Sequence, residues 1–280
     1  MIRPSKRFLD RAKTNFRRYQ KVLQAAKARD IGESDTVLIV TDFLAEVLGY
    51  DKYSEITAEF VIRSTFCDLA IKTNGQLRFL IEVKAIGTEL RENHLRQAVD
   101  YGANQGAEWV LLTNGTDWRA YRIRFEQPIS HDLVFDVDLL DPECKTADIL
   151  QMLYLISREA LGGAQIDQYW RQKEATNRFV ITQVLLSPPV LGPLRRELRR
   201  LAPGLRISEE DLATLLQLEV LKRDALEGDK AEAAAKRVRR AGRKRERERA
   251  AEETSEGQVR PAATAPPSVA PMTGKPVGAH

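Results

Sequence analysis

The stretch FCDLAIKTNGQLRFLIEVKA, residues 66–85, decides how the rest of the chain is read. Two runs rich in β-branched and apolar residues, 66–72 and 77–85, flank Asn74-Gly75, and both of those turn residues tolerate positive φ. The pattern predicts a β-hairpin. Its far end carries charge where an apolar strand has none to spare. Asp68 interrupts the first run, and Glu82-Val83-Lys84 ends the second. Strand side chains alternate, so Glu82 and Lys84 share one face and Val83 takes the other. Two carboxylates a few ångströms apart repel each other unless a cation neutralises them. Mg²⁺ takes about six oxygen ligands and is commonly held by one or two carboxylates, water and phosphate filling the rest. A lysine beside them can orient an attacking water and neutralise charge developing on phosphorus. Asp68, Glu82 and Lys84 are therefore the candidate catalytic set, with Mg²⁺ (or Mn²⁺) as the expected cofactor.

That expectation constrains the register. A plain two-residue loop at Asn74-Gly75 pairs Thr73 with Gln76 and makes paired positions sum to 149, which puts Asp68 and Glu82 on opposite faces. An odd loop or a single bulge moves the sum near 150 and brings both acids to one face. A three- or five-residue loop, or a bulge near Gly75, is therefore expected. Cys67, Leu69 and Ile71 would then line the other, buried face with Phe79, Ile81 and Val83.

Working outward, residues 5–29 have helical spacing, with Phe8, Ala12, Phe16, Tyr19 and Leu23 on one face. A second helix, capped by Ser34 or Asp35, runs through Val47 and stops at Gly49. Strands are expected at 55–63, 108–113 and 118–125, with a helix at 88–105. On that helix Gln97 and Tyr101 lie one turn apart and share a face with His94. The order of helix, three strands, helix and strands describes an α/β or α+β core with a mixed sheet. Helices are expected at 146–160 and 165–186, with Pro188-Pro189 breaking the second. Another starts at Ser208. Residues 230–249 offer no apolar face, so a helix there would be exposed, and 257–280 should be disordered. The expected organisation is a basic helix at 1–29, a core domain at 30–144, a helical region at 145–228, and a charged segment and tail at 229–280.

Composition narrows the partners. Residues 1–30 hold ten Lys/Arg against Asp10 and Asp30, and residues 230–249 hold ten against Glu232, Glu246 and Glu248. Basic flanks of this kind suit a polyanion, of which nucleic acid is the commonest in cytoplasm. The chain lacks a run of about 18 apolar residues and a signal-peptide pattern. Its two cysteines form no CxxC pair. A soluble cytoplasmic protein with no membrane partner is expected.

The pieces GESDTVLIVTDFLAEVLGYD (32–51), CDLAI (67–71), IEVKA (81–85), QAVDY (97–101) and LLTNGTDWRAY (111–121) together resemble the N-terminal nuclease domain of type I restriction enzyme R subunits, within the PD-(D/E)xK superfamily. The resemblance covers about residues 30–125. It implies an α/β restriction-endonuclease-like mixed sheet flanked by helices, followed here by a helical C-terminal region. It also implies Asp68 and Glu82 as metal ligands, Lys84 as the catalytic lysine, and Gln97 and Tyr101 as a QxxxY motif that supports the site or touches DNA. A further glutamate belongs on the first core helix. Glu33 fits best, with Glu46 and Glu59 as alternatives. Two departures stand out. Cys67 occupies the proline position of the superfamily name, and no GxxxxGK[ST] phosphate loop is present, so ATP-driven translocation is not expected of this polypeptide. The expected function is metal-dependent hydrolysis of nucleic acid, DNA first, in a restriction, defence or repair setting. The alternative is a non-catalytic module that binds nucleic acid or a partner through the C-terminal helices.

Overall fold

The computed structural model describes residues 2–62 and 65–257; for residues 59–62, 65, 66, 97, 101, 104, 105, 249 and 252–257 it describes the backbone alone. The chain divides into two compact units, one ending at Ala175 and one beginning at Thr176.

The first unit is built on a six-stranded sheet in the order β1-β2-β3-β4-β5-β6, comprising Ile56–Ile62, Thr65–Thr73, Gln76–Val83, Trp109–Thr113, Asp117–Arg124 and Ser130–Asp138. Every neighbouring pair is antiparallel except β3–β4, which is parallel and joined by helix α3, Glu92–Gln105. A parallel pair needs a long crossover, and this helix supplies it. The structure is thus α/β, a mixed sheet flanked by helices and followed by a helical region, and it is consistent with a nuclease-like fold. Strand β6 is not among the strands expected from the sequence: its segment SHDLVFDVD has charges interleaved with its apolar residues.

Helix α1, Lys6–Ala28, begins at Ser5, whose hydroxyl accepts from the Phe8 N–H. Its apolar face, Phe8, Ala12, Phe16, Tyr19, Leu23 and Ala26, is buried in the larger core. Burial of each large side chain there contributes roughly 1.5–3 kcal/mol. Helix α2, Glu33–Glu46, starts earlier than expected. Gly32 is the N-cap, and Ser34 and Asp35 fall in the first turn, where the acids Glu33 and Asp35 favour the helix dipole. The helix is stopped near Gly49, which has φ of 86° and where a Cβ would run into the Arg11 guanidinium.

Three further helices complete this unit: α4 (Thr146–Leu155), α5 (Arg158–Leu161) and α6 (Gln165–Ala175). Ile149, Leu150 and Leu153 of α4 and Ile166 of α6 join the same core as α1. The sequence boundaries at 29/30 and 144/145 therefore mark changes of element type inside one compact unit. Arg122 ties α6 to the sheet. Its guanidinium lies 5.0 Å from the Trp109 ring centroid and 4.5 Å from that of Trp170, and Nη1 donates to Asp167 at 2.5 Å.

In the second unit, α7 (Arg178–Leu185) is capped by Asn177, whose side chain accepts from the Val180 N–H. The single helix expected at 165–186 is thus two. Pro188 and Pro189 do not merely end a helix. They open α8, Pro188–Leu201, where a missing N–H costs nothing in the first turn. Ser208 and Asp211 form a capping box on α9, Glu209–Leu215. Helix α10, Asp229–Gly257, corrects the reading of 230–249 as faceless, because Ala231 and Ala234 are buried and the helix packs on α7. Small side chains let two backbones approach, a seat that a search for large apolar residues misses. The tail expected to be disordered lies, beyond Gly257, outside the described residues. No described helix is long and apolar enough to cross a membrane.

Candidate functional site

The β2–β3 hairpin sets the site. Asn74 (φ 53°) and Gly75 (φ 74°) make a two-residue turn, and Thr73↔Gln76 and Lys72↔Leu77 pair in the register it dictates. Between Ile71 and Lys72 the register shifts, so the pairs beyond are Ile71↔Phe79, Ala70↔Leu80 and Leu69↔Ile81. Arg78 is the extra residue. The sum changes from 149 to 150 through a bulge, not through a longer loop. The bulge turns Leu77 and Leu80 to the same side, a second core with Ala70, Val110 and Leu112 beneath α3. Phe79, Ile81 and Val83 face the larger core with Leu69 and Ile71. One expectation fails here: Cys67 joins the α3-side cluster instead. It lies past the last β2–β3 pair, Leu69↔Ile81, though still paired with Phe60 of β1, and its thiol donates to the Ile81 and Leu69 carbonyls. Burial pushes that thiol up to about 12, so Cys67 is a packing residue and not a nucleophile.

Where the ladder stops, Asp68 takes over. Its Oδ2 accepts from the Val83 N–H at 2.7 Å, so a carboxylate stands where a strand carbonyl would. On the same strand end, the Lys84 Nζ donates to Glu82 Oε1 at 2.8 Å and to Glu33 Oε2 at 3.4 Å. The Glu82 side chain is 5% exposed, that of Lys84 19% and that of Glu33 48%. Among the described residues, Glu82 Oε2 is buried without a hydrogen-bond partner. A buried carboxylate with an orphaned oxygen is costly unless something charged satisfies it.

The electrostatics agree. Burial lifts the Glu82 carboxyl above its usual range; the Lys84 hydrogen bond opposes this and the Asp68 charge adds to it. Burial likewise lifts Asp68, against the Val83 N–H and the Lys84 charge. For Lys84, burial works to lower the ammonium, but the hydrogen bond to Glu82 and the charges of Glu82, Glu33 and Asp68 outweigh it and raise it.

The strand end is also braced from β4. The Lys84 N–H donates to the Thr113 carbonyl at 2.8 Å. Thr113 begins a turn held by its own side chains: Asn114 donates to Asp117 Oδ2 and to the Thr88 carbonyl, and accepts from the Thr116 and Asp117 N–H groups. The motif LLTNGTDW was visible in the sequence, but its service to Lys84 was not, because a parallel pairing across α3 leaves no local signal.

Of the three acids considered for the first core helix, Glu33 is beside Lys84. Glu46 pairs with Arg18, and the Glu59 side chain lies outside the described residues. Gln97 and Tyr101 sit on α3 one turn apart, their side chains outside the described residues too. His94 Nδ1 accepts from the Arg91 N–H in the first turn of α3, so it serves as part of a cap.

The donors Asp68, Glu82 and Glu33 are all carboxylate oxygens, the chemistry a hard cation such as Mg²⁺ requires. The orphaned Glu82 Oε2 fits that use. Among the described residues, though, no group of three or more His, Cys, Asp or Glu side chains is arranged to hold a metal ion. Lys84 bridges Glu82 and Glu33, and Asp68 commits one oxygen to the backbone. Two carboxylates, not three, are the set nearest to hand.

Residues 39–134 contain every part of this site except Glu33. That stretch matches the type I restriction enzyme R protein N terminus. The resemblance carried by the short motifs is thereby shown over Ile39 to Val134, about a third of the chain, and gives the segment a restriction-related, nuclease-like setting. Helix α1, Glu33 and the second unit fall outside the matched residues. No curated protein and no solved structure gives a significant match.

Proposed function

We propose that this protein is a divalent-metal-dependent nuclease that hydrolyses phosphodiester bonds in DNA, in a restriction, defence or repair setting in the cytoplasm. One observation carries the reading. A nearly buried Glu82 with an oxygen unpartnered among the described residues, beside Asp68 and Lys84, ends β3 within the segment matching R-protein N termini. Asp68 and Glu82 would hold Mg²⁺ or Mn²⁺, with Glu33 as a further acid. When bound, the ion supplies Lewis-acid polarisation of phosphoryl oxygen and lowers the pKa of a bound water. Lys84, held protonated by its acidic neighbours, orients the attacking water and offsets charge developing on phosphorus. Gln97 and Tyr101 support the site or contact the nucleic acid from α3.

The test is incubation of the full chain with plasmid, linear and single-stranded DNA in Mg²⁺, Mn²⁺ or EDTA. Cleavage should require metal and fall by roughly 10³-fold or more in Asp68→Ala, Glu82→Ala and Lys84→Ala, since each removes a ligand or the positioned charge. Three variants that cut like wild type would remove the assignment. A second reading, a non-catalytic module that binds nucleic acid or a protein partner, draws on the pairing of Lys84 with both acids and on the lack of a three-acid cluster among the described residues. DNA binding without cleavage in any metal would favour it.

A further inference from the structure

The cations of helix α1, none of them part of the site, fall into two groups. Arg7 and Arg11 pair with Glu159, and Arg18 pairs with Glu46, which pins the helix flanks. Lys6, Lys13, Arg17, Lys21 and Lys27 are all exposed, and among the described residues none of them makes an ion pair or side-chain hydrogen bond. At about 100° per residue these five fall within an arc of about 120°, away from the buried face, with Asp10 the one acid among them. From Lys6 to Lys27 the row is about 32 Å long. The C-terminal end of α1, where Lys27 lies, packs beside the turns that flank the candidate site. A Cβ at Gly87, just past Lys84, would meet the Asp30 carboxylate, and Leu23 and Thr36 pack at Gly115 in the turn that braces Lys84.

We propose that the outer face of α1 is a phosphate-binding rail that leads a nucleic-acid strand to the Asp68–Glu82–Lys84 site. The proposal rests on the nuclease reading for its direction but not for the binding itself. An uncompensated row of cations is paid for in self-repulsion, and a polyanion with regularly spaced charges relieves it along the whole row. An anionic membrane surface is the weaker candidate: helices that lie on membranes insert an apolar face, and the apolar face of α1 is buried in the core. A rail of this length spans about nine nucleotides of one strand at about 3.4 Å each, so the substrate is a polynucleotide and not a mononucleotide or dinucleotide.

The experiment uses the full chain in EDTA, so that binding is read without cleavage. Fluorescence anisotropy with 6-base-pair and 24-base-pair DNA is followed against salt for wild type and Lys13→Gln/Arg17→Gln/Lys21→Gln. The triple variant should melt like wild type, because the three side chains are exposed. Its log K against log salt on the longer DNA should be shallower by roughly 2–3 units. Lys13→Arg/Lys21→Arg should keep the wild-type slope. Wild type should favour the longer DNA by more than its larger number of binding positions explains. Equal slopes in variant and wild type, or no DNA binding by wild type, overturn the rail. So does a variant that loses binding to phosphatidylglycerol vesicles while its DNA binding is unchanged. The two readings separate cleanly: cleavage with an unchanged slope removes the rail and keeps the nuclease, whereas a reduced slope without cleavage does the reverse.

Discussion

The two ends of the β2–β3 hairpin are built from opposite materials. At the turn end Asn74 and Gly75 take up positive φ, Gln76 is exposed, and the backbone ladder is complete. At the site end the ladder stops at Leu69↔Ile81, and the next connections come from side chains: Asp68 to the Val83 N–H, Lys84 to Glu82. Between them lies one residue, Arg78, that sets the parity of everything beyond it. The turn fixes which residues pair, the bulge fixes which face they take, and the site depends on the second more than on the first. The bulge also costs the hairpin little, since Arg78 Nε donates to Thr73 Oγ1 at 2.9 Å and so occupies the irregular position with a bond of its own.

The most severe way to break this contrast is to insert one alanine between Arg78 and Phe79. With Arg78 still the single bulged residue, the insert takes the place opposite Ile71 and Phe79 moves opposite Ala70, so Phe79, Ile81 and Val83 would turn toward α3, while Leu80 and Glu82 would turn into the larger core. We expect loss of cooperative unfolding and of any cleavage, measured by urea titration and DNA digestion. A folded, active insertion variant would show that the strand absorbs the extra residue in a wider bulge and that the parity set at Arg78 is dispensable. Next in size is Leu80→Ala, which opens a cavity among Ala70, Val110 and Leu112. It should cost about 2–5 kcal/mol and leave the cleavage rate of the folded fraction within a few-fold of wild type. A site residue should do the reverse, and a loss of stability in Glu82→Gln as large as that in Leu80→Ala would erase the distinction between the two strand ends.

Much of this was legible. Asn74-Gly75 announced the turn, and the apolar alternation of Leu69, Ile71, Phe79, Ile81 and Val83 required a register near 150 because only that register buries them together. Glu82 and Lys84 two residues apart were bound to share a face. The means was not legible: the sequence allowed an odd loop as readily as a bulge, and the choice depends on backbone geometry around Arg78. Cys67 was misplaced because the β2–β3 pairing that would match it with Val83 ends at Leu69↔Ile81. Strand β6 and helix α8 were passed over for a related reason. Polar side chains at His131, Asp132 and Asp136 mask the alternation of an edge strand, and Pro188-Pro189 reads as a breaker when it is a start.

A smaller effect is expected at the brace. Asn114 is buried, and its side chain bonds to Thr88, Thr116 and Asp117. Asn114→Ala leaves those groups unmatched and should cost about 1–3 kcal/mol. Because the same turn positions the Thr113 carbonyl on the Lys84 N–H, cleavage should fall as well. A destabilised variant with an unchanged rate would separate the turn from the site and confine its role to folding.

The smallest effect distinguishes the two strand ends by pH. Glu82 and Asp68 are both held above the ordinary carboxylate range, by burial first of all. A group raised in this way ionises less readily folded than unfolded. The stability it contributes is full below the unfolded value and is lost as pH rises through the higher folded value. Metal-free protein should therefore gain from the site end as pH is lowered from neutrality through that raised value to the ordinary carboxylate range. Glu82→Gln removes its share of the dependence. In EDTA the variant should compare most favourably with wild type near neutral pH, and the difference should shrink as the pH falls through the same window. Mg²⁺ should act against the trend, because a cation that binds the ionised carboxylates stabilises wild type at neutral pH and Glu82→Gln much less. Thermal midpoints of both proteins across pH, with and without Mg²⁺, measure all of this. Parallel curves for the two proteins in EDTA would mean that the buried Glu82 carboxylate is as well satisfied by Lys84 alone as an amide would be. The site end of the hairpin would then be a closed ion pair and not a place prepared for a cation.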